Sequence, residues 1–258
     1  MSPYSIVKGM NDVLPSHAEP FLDASLWQRI LVTTDEVLRS FSYQLVWLPV
    51  VEDTALFLRG IGEATDIVTK EMYTFADRAE RSLTLRPEGT ASAARAYVEQ
   101  HFGRENPQQK WWYFGPMFRA ERPQKGRYRQ FYQIGGECFG IAHLAADAEM
   151  LAMLWQLCSA LRMPSVKIRL NTLGDETSRQ HYRQRLEPYL LQNQESLCEA
   201  CKNRIVTNPL RVLDCKRPTC REIVLTAPKI LDTLSPEALE RLKQLEKLLS
   251  GLSVPYDL

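Results

Sequence analysis

Apolar residues recur at helical intervals in three segments of the first half of the chain. In residues 16–41 they fall on one stripe, and Ser16 with Glu19 has the spacing of an N-terminal capping box. Residues 90–100 are rich in alanine, and residues 145–162 carry a third apolar pattern of helical length. We predict a helix over each of these segments.

Strand-like patterns lie between these helices. Residues 71–86 combine an apolar run, a charged turn and alternating leucines, which predicts a hairpin. The segment that follows the first helix is rich in β-branched and aromatic residues and has Pro49 near its end. We predict further strands at residues 43–51, 109–118, 129–139 and 166–170.

The second half of the chain has a different pattern. From Asp175 onward it is rich in Gln, Glu and Arg and poor in β-branched residues, which indicates helices. The last helix has Ser235 as N-cap, Pro236 at its first position and Gly251 at its end. Strands followed by helices predict an α+β fold, an antiparallel sheet flanked by helices and then a mainly helical domain. We place the two domains at residues 1–171 and 172–258.

Composition is that of an ordinary folded protein. The chain has 258 residues, of which 45% are hydrophobic and 24% charged, which excludes disorder and low-complexity architecture. The formal net charge of +1 gives no global field for a polyanion, so any phosphate site must be a local cluster. No apolar run reaches the length of a membrane span, and the N-terminus lacks a secretory pattern. We expect a cytoplasmic protein with reduced cysteines and no membrane partner.

The first candidate site is the run Arg86-Pro87-Glu88-Gly89-Thr90, where a predicted strand meets a helix. Pro87 and Gly89 favour a tight turn that would hold the Glu88 carboxylate at the edge of a pocket. A fixed carboxylate suits an ammonium group. The alternative is that Glu88 only favours the start of the helix.

The second candidate site is a basic loop between two predicted strands. Arginine forks match phosphate oxygens, and the aromatic residues Tyr128 and Phe131 offer faces for a purine. On the strand that follows, Gln133 and Glu137 have the same parity and therefore face the same side. The alternative is a solvated hairpin loop. The basic residues of the loop are Arg119, Arg122, Lys125, Arg127 and Arg129.

Four cysteines form the third candidate site. Two residues separate Cys198 from Cys201, and a wider gap of four residues separates Cys215 from Cys220. Two pairs of cysteines are typical of structural zinc sites. The alternatives are four free thiols packed together, or a zinc-dependent nucleic-acid module over residues 171–258.

The chain resembles the catalytic domain of bacterial histidyl-tRNA synthetases, which are class II aminoacyl-tRNA synthetases. The resemblance extends from Gly9 to the C-terminus. The segment 43–51 looks like class II motif 1, and the long run 118–131 looks like motif 2. Residues 86–90 and 208–214 are also similar to the family's sequences.

The resemblance implies roles for the residues of the first two candidate sites. Glu88 would hold the α-ammonium group of histidine, with Thr90 beside it. Glu137 would recognise the imidazole ring, and Gln133 would contact the bound amino acid. Substrate identity is implied by the resemblance alone.

The resemblance also implies an ATP site. Arg119 would bind the α-phosphate and act as the catalytic residue, and Arg127 would bind the outer phosphates. Glu121 would read the adenine edge, and Phe131 would stack on its face. ATP with Mg²⁺ would then react with histidine to give histidyl-adenylate, and tRNA(His) would accept the histidyl group.

The resemblance further implies a homodimer, with residues 16–41 and the Pro49 strand at the interface. The alternative function is a non-catalytic paralogue, such as the regulatory subunit of ATP phosphoribosyltransferase. The resemblance stops before motif 3 and the anticodon-binding domain, and residues 172–251 resemble the family's helical insertion. From the sequence we therefore expect a shortened synthetase chain with weak ligand binding and negligible aminoacylation on its own.

Overall fold

A computed structural model describes residues 4–61, 71–124 and 126–258. It divides into two compact units, residues 1–164 and 165–258. This division lies a few residues before the boundary placed at 171. Within the described ranges, no helix has both the length and the apolar character needed to cross a membrane.

The first unit contains helices and two small three-stranded sheets. Its helices are α1 (Ala24–Ser40), α2 (Thr54–Ile61), α3 (Thr90–Glu99), α4 (Phe102–Glu105) and α5 (Leu144–Ala160). Its strands are β1 (Gln44–Leu45), β2 (Val51–Asp53), β3 (Tyr73–Ala76), β4 (Ser82–Leu85), β5 (Gln109–Phe118) and β6 (Gln130–Phe139). The helices predicted at 90–100 and 145–162, the hairpin and the two long strands are confirmed.

The central sheet has the order β1-β5-β6. Strands β5 and β6 pair antiparallel along their whole length, and β1 joins β5 in parallel. The second sheet, β2-β4-β3, is antiparallel. The predicted α+β class is confirmed, and the antiparallel description holds everywhere in these two sheets except at β1.

The central sheet carries a different layer on each face. On one face Trp112 packs with α1 and α5 in a core that includes Leu38, Tyr43, Met153 and Leu157. On the other face Tyr113 and Met117 pack with Ala93 of α3. Alternate residues of β5 point to opposite faces, so this strand supplies both cores. The second face also carries the polar residues of the candidate site.

The first predicted helix begins later than expected. Pro20–Leu22 form a short 3₁₀ turn, and α1 starts only after Asp23, whose carboxylate accepts a hydrogen bond from the Ser25 N–H at 2.8 Å. The prediction of a capping box at Ser16 is wrong. A residue before proline is held extended, so a helix could not run through Glu19 into Pro20.

The predicted strand at 43–51 is also wrong in its length. It forms only the short strands β1 and β2, with an irregular segment between them. The carbonyl groups of Leu48 and Pro49 accept hydrogen bonds from the buried Arg86 side chain at 2.9 and 3.3 Å. The Arg86 side chain therefore supplies hydrogen bonds to carbonyl groups of a segment in which Pro49 prevents complete strand pairing.

The second unit is mainly helical, as predicted. Its elements are β7 (Ile168–Arg169), α6 (Glu176–Gln192), α7 (Glu199–Thr207), α8 (Pro218–Leu225), α9 (Pro236–Gly251) and β8 (Tyr256–Asp257). The predicted strand at 166–170 is short and pairs in parallel with β8. Ser235 caps α9 as predicted, because its hydroxyl accepts a hydrogen bond from the Ala238 N–H at 3.0 Å. The core of this unit lies between α6, α7 and α8.

Candidate active site

A half-buried carboxylate lies at the centre of the first candidate site. One oxygen of Glu137, on β6, accepts hydrogen bonds from the Thr90 hydroxyl at 2.9 Å and from the Tyr113 hydroxyl at 3.1 Å. Burial raises the pKa of Glu137; the two hydrogen bonds oppose that rise, and the charge of Glu88 adds to it. The second oxygen has no partner among the described residues. It can therefore accept a hydrogen bond from a ligand.

Tyr113 was not among the residues predicted from the sequence. Its ring fills the space between the start of α3 and β6, so a Cβ atom at Gly89 or at Gly135 would collide with the ring. Only glycine fits at these two positions. Burial also raises the pKa of Tyr113, which keeps the hydroxyl protonated as a donor to Glu137. The sequence signal that could have identified Tyr113 is its position on β5, which places its side chain on the same face of the sheet as Glu137, opposite Gly135 of β6.

Glu88 lies beside this cluster at the start of α3. Its two carboxylate oxygens accept hydrogen bonds from the Thr90 N–H at 2.5 Å and the Ala91 N–H at 2.9 Å. The helix-start role considered from the sequence is therefore present. A carboxylate has about four acceptor sites, so two remain for a ligand ammonium group.

Gln133 lies on the same face of β6 as Glu137, and its neighbour on β5 is Gly115. Its side-chain oxygen is buried without a hydrogen-bond partner among the described residues. A buried acceptor without a donor costs free energy on the order of 1–3 kcal/mol. A ligand that supplies an N–H group would remove that cost.

The Arg119 side chain is held in place from two sides. Its Nε donates to the Pro87 carbonyl at 3.1 Å, and its guanidinium lies over the Phe131 ring, 5.0 Å from the ring centre. Within the described residues its terminal nitrogens make no ion pair. The structure thus brings Arg119 next to the segment that carries Glu88.

Two other residues predicted to bind ATP pair with each other. Arg127 donates to the Glu121 carboxylate at 2.8 Å, and the Glu121 side chain is only 13% exposed. Arg129 donates instead to the carbonyl groups of Glu121 and Lys8, and its backbone N–H bonds to Gly9. Arg129 therefore fastens the loop to the N-terminal segment. Arg122 is exposed, and Lys125 lies outside the described residues.

Arg86 is a second residue whose role the sequence did not reveal. Only 3% of it is exposed, and its guanidinium donates to the carbonyl groups of Leu48, Pro49 and Pro116. Burial lowers its pKa. Arg86 joins β5 to the segment between β1 and β2, and this fixes the turn that presents Glu88.

The four cysteines of the third candidate site converge in the second unit. Their sulfur atoms all lie within 4.8 Å of one another, and all four thiols are free. Burial opposes ionisation of Cys198, but hydrogen bonds from the Cys201 N–H and from the other three thiols lower its pKa to about 7. Burial raises the pKa of Cys201 and Cys220. The arrangement could hold one metal ion.

Comparisons with known proteins identify the family. The family model described as histidyl-tRNA synthetase matches residues 9–174. The chain is 45% identical over 249 residues to a histidine–tRNA ligase of Desulfitobacterium hafniense, covering 96% of the chain and 57% of that protein. It is 48% identical over 250 residues to the Anaeromyxobacter dehalogenans ligase, covering 97% and 58%.

A solved structure gives the same result for the fold. The apo histidyl-tRNA synthetase of S. aureus matches with a TM-score of 0.75 and 33% identity, covering 98% of this chain and 56% of that one. The chain spans somewhat more than half the length of the curated relatives it matches. The family model covers well over half of the chain, including both parts of the candidate site. The chain therefore belongs to the histidyl-tRNA synthetase family.

Proposed function

We propose that the first unit binds histidine and ATP and activates histidine in a histidine–tRNA ligase. The observation that carries this proposal is the Glu137 carboxylate, half-buried and oriented by Thr90 and Tyr113 with one oxygen left for a ligand. The names of the curated relatives support the reaction. An alternative without chemistry, a regulatory paralogue that senses histidine, has no need of the arginines of the basic loop.

Histidine fits the polar groups on this face of the sheet. An imidazole N–H would donate to the free oxygen of Glu137, and the buried oxygen of Gln133 would accept from the bound amino acid. The α-ammonium group would lie against Glu88 at the start of α3. A side chain without an N–H group would leave the second oxygen of the half-buried Glu137 carboxylate without a partner, which favours histidine over apolar amino acids.

ATP would bind next to histidine along the basic loop. Arg119 would direct its terminal nitrogens at the α-phosphate, and adenine would stack on the face of Phe131 away from Arg119. Arg127 and Glu121 would separate so that Arg127 meets the outer phosphates and Glu121 the adenine edge. Mg²⁺ would enter with ATP and neutralise part of its charge.

The reaction needs no nucleophile from the protein. The histidine carboxylate would attack the α-phosphorus in line, forming a C–O–P linkage as the bond to pyrophosphate breaks. Arg119 would stabilise the negative charge that develops on the α-phosphate oxygens. The terminal ribose hydroxyl of tRNA(His) would then take the histidyl group, releasing AMP.

We also propose that the chain forms a homodimer through the segment that resembles motif 1. The Trp47 side chain is 81% exposed there, and Leu45 and Val51 are also exposed. On α1, Val32 is exposed as well. An exposed tryptophan near other apolar side chains indicates a surface that a partner covers.

Calorimetry of ligand binding tests the proposed function. We expect this 258-residue chain to bind both histidine and ATP, and Arg119→Ala to weaken ATP binding at least tenfold while histidine binding stays within about threefold. Arg104→Ala, which removes an exposed arginine of α4, is the matched control and should change neither. Binding of histidine without ATP would favour the regulatory paralogue, and binding of neither would contradict the proposal.

A further inference from the structure

We propose that Cys198, Cys201, Cys215 and Cys220 bind one structural zinc ion in the second unit. Tetrahedral zinc with thiolate ligands places neighbouring sulfur atoms about 3.8 Å apart, from Zn–S distances of about 2.3 Å. The four sulfurs already lie within 4.8 Å of one another. Shifts of about 1 Å would complete the coordination sphere.

The surrounding backbone favours negative charge at this point. Cys201 and Cys220 each occupy the third position of a helix, α7 and α8 respectively. Two helix N-termini therefore meet at the four sulfurs, and N-terminal ends stabilise thiolates. The Cys198 N–H also donates to the sulfur of Cys220 at 3.3 Å. Such N–H···S bonds orient ligands and spread the charge of a tetrathiolate centre.

The sequence around the cysteines supplies compensating charge. Cys215 and Cys220 are followed directly by the basic residues Lys216 and Arg221, whereas Lys202, which follows Cys201, pairs with Glu199 at 2.8 Å. A zinc ion with four thiolates carries two negative charges, so nearby cations lower its cost. Packed neutral thiols would gain nothing from helix N-termini or from these cations.

The local architecture explains both the spacing and the need for an ion. Cys198 is the N-cap of α7, whereas Cys215 lies before the N-cap of α8, which accounts for the wider gap to Cys220. The segment is built from short helices, and Cys201 and Cys220 lie in the core that also holds Leu186. A metal would hold together α7, α8 and the segment between them, which share a small core.

A single ion fits better than an iron–sulfur cluster. The cysteines of a [4Fe–4S] cluster each bind a different iron, and those of a [2Fe–2S] cluster bind two irons in pairs, so in both the four sulfurs stand around the inorganic core and not against one another. Here all four sulfurs converge on one point. Tetrathiolate sites of this kind select zinc over harder metals.

The metal content of the whole chain tests the proposal. After expression with zinc in the medium and purification under reducing conditions, we expect inductively coupled plasma mass spectrometry to find about one zinc per chain. Cys215→Ser, at a half-buried ligand, should retain less than a tenth of that. Cys158→Ser, which removes a half-buried thiol of the first unit, is the matched control and should retain all of it.

Cobalt substitution keeps the test decisive if Cys215→Ser does not fold. The metal-free wild-type chain should bind one Co²⁺ with the intense visible bands and thiolate charge-transfer band of a tetrahedral tetrathiolate site, and zinc should displace it. Wild-type protein without metal, with four freely reacting thiols or two disulfides, would overturn the proposal. So would an octahedral cobalt spectrum, bound iron in place of zinc, or full zinc retention by folded Cys215→Ser.

Discussion

Replacing Glu137 with glutamine tests whether this residue binds substrate or stabilises the fold. The variant keeps the shape of the side chain and an oxygen that can accept from Thr90 and Tyr113. It removes the negative charge of the carboxylate, which we propose binds the imidazole ring of histidine. We therefore expect weaker histidine binding without a loss of stability in the free protein.

The loss of binding can be estimated from the single charged hydrogen bond. A hydrogen bond to a charged group contributes about 1.5–3 kcal/mol. That free energy corresponds to histidine binding roughly 10 to 150 times weaker. Calorimetry or ligand-observed NMR titration would measure the ratio of the two dissociation constants, which does not depend on a tight wild-type affinity.

The stability of the free protein should not fall with the same substitution. Burial raises the pKa of Glu137 above its ordinary 4.5, so the ionised carboxyl opposes folding at neutral pH. The protonated Glu137 carboxyl favours folding below pH 4.5, and this contribution to stability is lost as pH rises through the raised pKa. Glu137→Gln should flatten this part of the pH dependence and leave the melting temperature at pH 7 unchanged or higher.

Two results would refute this reasoning. Histidine binding to Glu137→Gln within threefold of wild type, under about 0.7 kcal/mol, would mean that the carboxylate does not meet the imidazole. A large fall in melting temperature at pH 7 would mean that the carboxylate stabilises the fold. Glu149→Gln is the matched control, because it neutralises a carboxylate that pairs with Lys110 and lies outside the site.

Three further predictions concern the fold and assembly. Hydrogen bonds from Ser178 and Ser235 lower the pKa of Asp175 from 3.8 to about 2, so its contribution to stability is present above pH 3.8 and is lost as pH falls towards 2. Asp175→Asn should lower the melting temperature at pH 7 and reduce its dependence on pH in that range, measured by circular dichroism; an unchanged acid transition would contradict this. Arg86→Met should destabilise the chain by about 3–5 kcal/mol in urea unfolding, because the hydrogen bonds from the buried guanidinium to three carbonyl groups are lost; a loss under 1 kcal/mol would be too small for that role. Sedimentation should show a dimer at micromolar concentration, and Trp47→Asp should shift it towards monomer; a wild-type monomer would argue against the proposed interface.

The sequence by itself determined the long regular elements and identified the basic loop as a candidate site. Strands β5 and β6 and helices α3, α5 and α9 are each specified by periodicity or capping within their own residues, so no distant contact was needed to predict them. The family resemblance also rests on continuous runs, which is why it was visible in residues 86–90 and 118–131. The shared face of Gln133 and Glu137 follows from strand parity alone.

Only the tertiary structure decided which groups support those residues. Tyr113 donates to Glu137 because β5 pairs with β6 in a register that places its ring against Gly135, and register is a non-local property. Arg86 reaches carbonyl groups more than thirty residues away along the chain, and these contacts shorten the strand that local propensity favours. The four cysteines likewise converge only when α7 and α8 fold together. Local pattern fixes the type of an element and the direction of its side chains, whereas the partner of a buried polar group depends on packing between segments distant in sequence.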